Sequence, residues 1–318
     1  MSSQSAPPKI IGRHRSPRRP VRPLPALLLL ALVPLLGTCA PRPPKTIRLP
    51  PVLNEASGLA IRDNAFYWHN DSGDGPLLYA TGPDGGLFRS VYLPVAARDW
   101  EDLTTDPQGR FYLADTGNNR GQRTQQTIYR YDDRRKHTDS IVFVYPQQDG
   151  GGRHQPGNYD CEAVVYHRDT LHFFTKDQLW NAGRDLAYHF TVPAAPGRYV
   201  AELRDSLRLP GRVITAAALD SVRGELVLTA YTFRRSLGFL PNGAASLVTI
   251  TDFPAGRFLR GRVRRCNLSW FWPTQFEAVD FYDDRWLYVA SEATPVRRRA
   301  VAKRKKRRRY RHKRLPRR

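Results

Sequence analysis

One unit recurs five times along this chain: a short strand of small and aliphatic residues, a turn, then a strand rich in aromatics. Ser57-Gly-Leu-Ala-Ile61 leads to Phe66-Tyr-Trp-His-Asn-Asp71, and Glu101-Asp-Leu-Thr-Thr105 leads to Phe111-Tyr-Leu-Ala-Asp115. Glu162-Ala-Val-Val-Tyr166 leads to Leu171-His-Phe-Phe-Thr-Lys176, and Thr215-Ala-Ala-Ala-Leu219 to Leu226-Val-Leu-Thr229. The last copy is Glu277-Ala-Val-Asp-Phe281 with Leu287-Tyr-Val-Ala-Ser291. The turns Asp106–Gly109, Asp220–Gly224 and Asp283–Arg285 carry the residues that turns favour. A third strand follows in four units, at 77–80, 127–131, 187–190 and 246–250. A fourth is expected at 88–93, 140–145, 199–203 and 258–263. Four short strands per copy, repeated, is the sequence pattern of a β-propeller.

The expectation is therefore an all-β, five-bladed β-propeller over residues 46–295. Thr46–Leu49 would close the ring by joining the last blade. A six-bladed ring with one degenerate blade and a β-sandwich are the alternatives; no sixth copy is visible.

Charge divides the chain differently. Of 51 Lys and Arg, six fall in residues 1–39 and fifteen in residues 296–318, and neither end holds an acid. The segment between them, with 30 basic and 29 acidic residues, is nearly neutral. That excludes a globally basic domain of nucleic-acid type. At the N-terminus, Arg-rich residues 13–22 precede the apolar run Leu24–Leu36, then Leu36-Gly37-Thr38-Cys39. A basic region, a short apolar region and small residues are the parts of an export signal. Cys39 stands where a lipobox places its acylated cysteine; an ordinary cleaved signal is the alternative. The expected organisation is a signal peptide over 1–39, a Pro-rich tether over 40–45, the propeller, and a basic disordered tail over 296–318. The tail reads either as a surface for an anionic polymer or as out-of-frame sequence. Cys161 and Cys266 form one disulfide or remain two thiols, with the thiols favoured.

In a propeller the first strand of each unit lies near the axis and the second runs back antiparallel. Its opening residue and the residue about fourteen positions later return to one face. This pairs Ser57 with Asp71, Glu101 with Asp115, Glu162 with Lys176, Thr215 with Thr229, and Glu277 with Ser291 or Glu292. Two residues before the openers stand Glu55, Asp99, Asp160, Val213 and Gln275. So many carboxylates at one mouth would repel unless neutralised. A hard cation such as Ca²⁺ does this through clustered oxygens; Lys176 and hydrogen bonds that tie the blades are the other route. The metal candidates are Glu101, Glu162, Glu277, Asp71 and Asp115. Ser57, His69, Lys176 and Glu292 would line a ligand mouth. Asp71-Ser-Gly-Asp and Asp115-Thr-Gly-Asn repeat a tight turn beside it.

Glu55-Ala-Ser-Gly-Leu-Ala, His69-Asn-Asp-Ser-Gly-Asp, Asp99-Trp-Glu-Asp-Leu, Asp160-Cys-Glu-Ala-Val and Ser291-Glu292 together resemble a group of exported bacterial propellers. In layout they are similar to SdiA-regulated lipoprotein-like and senescence-marker/gluconolactonase-like propellers. The resemblance implies a divalent cation held on the axis by Glu101, Glu162 and Glu277. The further Asn and Asp ligands of the lactonases find no counterpart here. The expected function is that of a monomeric, lipid-anchored propeller of the cell envelope, at the outer membrane or in the periplasm. It would bind a cation and a small ligand or partner, and no specific nucleic acid. The alternative is a metal-dependent hydrolase of phosphoester or lactone type.

Overall fold

The computed structural model describes residues 42–307 other than 72, 147, 149–158, 177–185, 233, 237–239, 243, 270–274 and 295–297. The expected signal peptide and Cys39 lie outside the described residues.

The described chain is a five-bladed β-propeller. Blade 1 is Ala56–Arg62, Ala65–Asn70, Leu77–Thr81 and Leu87–Tyr92. Blade 2 is Trp100–Thr105, Phe111–Asp115, Gln126–Asp132 and His137–Val144. Blade 3 is Asp160–His167, Thr170–Lys176, Leu186–Pro193 and Glu202–Arg208. Blade 4 is Val213–Asp220, Glu225–Tyr231, Ala245–Thr251 and Arg262–Ser269. Blade 5 is Phe276–Phe281, Trp286–Ser291, Val301–Lys306 and the early strand Thr46–Arg48. Each inner strand packs beside the inner strands of its two neighbours, and blade 5 meets blade 1.

Local chemistry explains the hairpins. Asp63 and Asn64 have φ of 52° and 65°, a two-residue turn that joins Arg62 to Ala65. Arg168 and Asp169 repeat it at φ of 47° and 55° between His167 and Thr170. Positive φ at both central residues matches the twist of an antiparallel pair. In blade 2 the turn is longer: Asp106 accepts from the Arg110 amide and Gly109 takes φ of 81°. Between blades the cores are aliphatic and aromatic. Phe66, Trp68 and Tyr288 fill the seam of blades 5 and 1, and Phe143, Phe173 and Phe190 that of blades 2 and 3.

Four expectations change. First, the strand expected at 199–203 divides. Gly197–Val200 runs parallel to the outer strand of blade 2, and Glu202–Arg208 becomes the outer strand of blade 3. Tyr199 packs into the core between blades 2 and 3, so the chain covers the open edge of blade 2 before turning back. Second, the strand expected at 258–263 starts later. Phe258 and Leu259 form a short 3-10 turn and bury themselves between blades 3 and 4. Third, the basic segment is structured through Arg307, because Val301–Lys306 is the third strand of blade 5. Ala300 and Ala302 enter the core there, while Arg304 lies 4.1 Å over the Trp286 ring. Residues 308–318 lie outside the described residues. Fourth, the end of the tether is bound to blade 5: the Arg304 amide donates to the Lys45 carbonyl at 3.0 Å, and the Tyr288 hydroxyl to the Pro44 carbonyl at 2.6 Å. Cys161 and Cys266 are free thiols, in the inner strand of blade 3 and the outer strand of blade 4.

Candidate metal centre

The inner strand of every blade carries a β-bulge at the same place. In blade 2, Trp100 faces Asp115 and Asp102 faces Ala114, which leaves Glu101 unmatched. Glu162, Thr215 and Glu277 are unmatched in the same way in blades 3, 4 and 5. In blade 1 Ser57 and Gly58 together oppose His69. The openers of the five repeats are thus the five bulge positions. A bulge re-aims the side chain it carries.

Two overlapping trios of carboxylates result. Oxygens of Asp71, Asp99 and Glu101 lie within 4.8 Å of one another, and so do those of Glu101, Asp160 and Glu162. Glu101 belongs to both, and the set draws on blades 1, 2 and 3. An ammonium enters this cluster: Lys176 Nζ donates to Glu162 Oε1 at 2.6 Å. Asp160 also accepts the Asn118 amide at 2.5 Å. Asp71 Oδ1 is buried and has no hydrogen-bond partner among the described residues.

The other expected residues sit differently. Asp115 belongs to neither trio; it is ion-paired with Arg123 at 2.9 Å and accepts the Asp99 amide. Glu277 also lies outside the trios, and Gln275 donates to its Oε1 at 3.3 Å. Glu292 is close to Glu277, Asp71 and Glu55. Ser57 does not present its hydroxyl to the mouth; it donates to the Glu101 carbonyl at 2.7 Å. Together with Thr116 on the Cys161 carbonyl and Thr215 on the Phe276 carbonyl, it ties neighbouring blades. His69 is buried behind the mouth, edge-on to Trp100 at 5.5 Å, and burial pushes its pKa down to about 4.

Asp99 and Asp160 replace Asp115 and Glu277 in the cluster. Their signal in the sequence is the two-residue step from the openers, since residues i and i+2 of a strand share a face. Asp102, next to Glu101, has no such signal. It is fully buried and accepts amides from Leu103, Val164 and Ala217 at 2.8, 2.9 and 3.2 Å, which links blades 2, 3 and 4.

The electrostatics follow from crowding in a dry place. Burial, then the Glu162 and Asp99 charges, hold Glu101 well above the usual carboxylate range. Burial raises Glu162 as well, with Lys176 opposing. Asp71 reaches about 7, through burial and then the charges of Asp99 and Glu277. Glu292 reaches about 10 through burial and then Glu277. Burial opposes the Lys176 charge, yet Glu162 and its neighbours hold it well above its ordinary value. A cluster of this kind can hold a metal ion. All its donors are hard oxygens, and the orphaned Asp71 oxygen would gain a partner.

Gly117 leaves room for this arrangement. A β-carbon there would overlap Glu101 Oε1 and Asp99 Oδ2. Gly117→Ala should therefore displace both carboxylates. We expect a loss of about 1–3 kcal/mol in stability, as overpacking costs, and weaker Ca²⁺ binding, both read by thermal unfolding with and without Ca²⁺.

No protein-family model matches the chain, and no curated protein matches it in sequence. Solved structures do resemble it in fold. An exo-β-1,3-galactanase from Phanerochaete chrysosporium shares 10% identity at a TM-score of 0.50, over 82% of this chain and 60% of that one. A gluconolactonase-like protein shares 11% at 0.45, over 84% and 94%. The virginiamycin B lyase of Staphylococcus aureus shares 11% at 0.39, over 82% and 87%. At these identities the likeness is one of fold alone.

Proposed function

We propose that this protein is a cation-binding propeller of the cell envelope, whose acidic mouth holds Ca²⁺ and with it a small ligand or partner. The observation that carries the reading is the pair of carboxylate trios sharing Glu101. Asp71, Asp99, Glu101, Asp160 and Glu162 are the proposed ligands. Ca²⁺ takes six to eight oxygens in flexible geometry, which suits five carboxylates brought from three blades. Lys176 offsets one charge among them and leaves the rest to a cation. The signal-like N-terminus and Cys39 support export to the envelope with a lipid anchor; in this reading the protein acts there as a monomer. The basic residues at the C-terminus support contact with an anionic surface polymer, by charge and without nucleic-acid specificity.

The alternative, a metal-dependent hydrolase, needs a base beside the cation. A mouth carboxylate or His69 would be that base; the His69 ring is buried against Trp100, which leaves the carboxylates of the cluster. The binding reading rests on the trios and asks for no such base.

The test is thermal unfolding of the full chain after EDTA treatment, then with excess Ca²⁺. Ligand at a hundred times its Kd adds about 2.7 kcal/mol, or roughly 5–10 °C for a domain of this size. Glu101→Gln should abolish the rise, while Asp115→Asn should keep it. No rise in the folded wild-type protein, or an equal rise in Glu101→Gln, overturns the reading.

A further inference from the structure

The inner strands start at the acidic mouth, and their other ends enclose a separate cavity. It measures about 290 Å³ and takes residues from all five blades, among them Ile61, Thr105, Tyr166, Ser221 and Asp280. That is near the small end of the range for ligand sites, roughly 300–1,000 Å³. Asp102, bonded across to blades 3 and 4, lies along the strands between the bulge positions and this cavity.

Two carboxylates line the cavity, and they differ in how they are compensated. Asp220 accepts Arg307 Nη2 at 2.7 Å and the amides of Val222 and Arg223. Asp280 accepts backbone amides, Ile61 at 2.6 Å and Phe281 at 2.7 Å. No cationic side chain bonds to it among the described residues. Its charged neighbour inside the ring is Asp102, another carboxylate. Burial pushes Asp280 up to about 7, as expected for an acid without a counter-charge. Each oxygen of a carboxylate has two acceptor sites, so both Asp280 oxygens retain acceptor capacity. The rest of the lining mixes aliphatic and aromatic side chains, Leu59, Ile61 and Tyr166 among them, with the hydroxyls of Thr104, Thr105 and Ser221.

We propose that this cavity is a second binding site, taking a small organic cation (an alkylamine or quaternary ammonium) against Asp280. With Asp220 already paired to Arg307, one uncompensated carboxylate remains, too few for Ca²⁺, which needs many oxygens. It suits a small organic cation, whose alkyl groups pack on Leu59 and Ile61 and whose charge meets Asp280 and the ring of Tyr166. The site is independent of the mouth, and the proposal stands or falls without the Ca²⁺ reading.

Calorimetric titration of the full chain at pH 8.5 in EDTA tests it, with choline as the probe and 3,3-dimethylbutan-1-ol as its neutral isostere. Choline should bind saturably and at least tenfold tighter than the isostere. Asp280→Asn should remove that preference, and Glu101→Gln should leave it intact. If Asp280→Asn fails to fold, the comparison of choline with its isostere on the wild-type protein still decides. Equal binding of the two, no saturable binding of choline, or unchanged choline binding in a folded Asp280→Asn protein would overturn the proposal.

Discussion

A chain ending at residue 299 should lose its cooperative thermal transition. The cut removes Val301–Lys306, the strand that pairs on one side with Trp286–Ser291 and on the other with Thr46–Arg48. The early strand then loses its partner and the ring opens between its first and last blades. Ile47, Leu49, Ala300 and Ala302, all buried in the seam of blades 5 and 1, lose their packing or are deleted. Arg307 goes too. Its guanidinium meets Asp220 and Glu225 at 2.7 Å each, lies 4.1 Å over Phe281, and is nearly inaccessible at 4%. Removing one partner of such a buried group costs about 3–5 kcal/mol by itself. A whole domain is stable by only about 5–15 kcal/mol. The point variant Arg307→Met isolates that contribution and should lower Tm by about 6–20 °C. Circular dichroism melts of the three proteins check both outcomes. A cooperative melt of the 299-residue chain near that of the full protein would show that the closing strand contributes little.

That strand marks where sequence reasoning stops short. The repeat is legible because the inner two strands of a blade are covered on both faces. Their residues must be small, aliphatic or aromatic, and the same choice recurs five times. Val301-Ala-Lys-Arg-Lys-Lys306 is a third strand that is buried at its start and only partly covered from Lys303 on, so it can be basic and still pair. The guanidinium of Arg304 lies over the Trp286 ring and donates to the Pro43 carbonyl. Read as charge alone, the segment resembles a solvated tail. The site divides similarly. Asp71, Glu101 and Glu162 are visible because the repeat places them, and Asp99 and Asp160 are visible as neighbours two residues away. His69 cannot be placed from sequence: its burial depends on Trp100 of the next blade and on Gly58 across the bulge, where any side chain would strike the imidazole. Asp115 has the right position in the repeat, but an arginine eight residues later claims it.

Lys176→Met should cost the metal-free protein about 3–5 kcal/mol at pH 8, because it leaves Glu162 and the carboxylates around it without the ammonium buried among them. The pH dependence fixes the cause. A carboxyl whose folded pKa is raised holds its proton where the unfolded chain has lost it. Stability from that group then falls as pH rises from the unfolded value, about 4. Asp71 spreads the fall to about 7 and Glu292 toward about 10. Lys176 offsets this loss, and it stays charged in both states throughout the range. The variant should therefore lie closest to wild type at pH 5, where the cluster is largely protonated, and furthest at pH 8. Excess Ca²⁺ should return much of the difference at pH 8, since a cation among the trios supplies the charge that the neutral thioether side chain lacks. Denaturant titrations at the two pH values, each with EDTA or Ca²⁺, give the four stabilities required. A deficit independent of both pH and Ca²⁺ would make Lys176 a packing residue and remove the cluster's charge as its reason for being there.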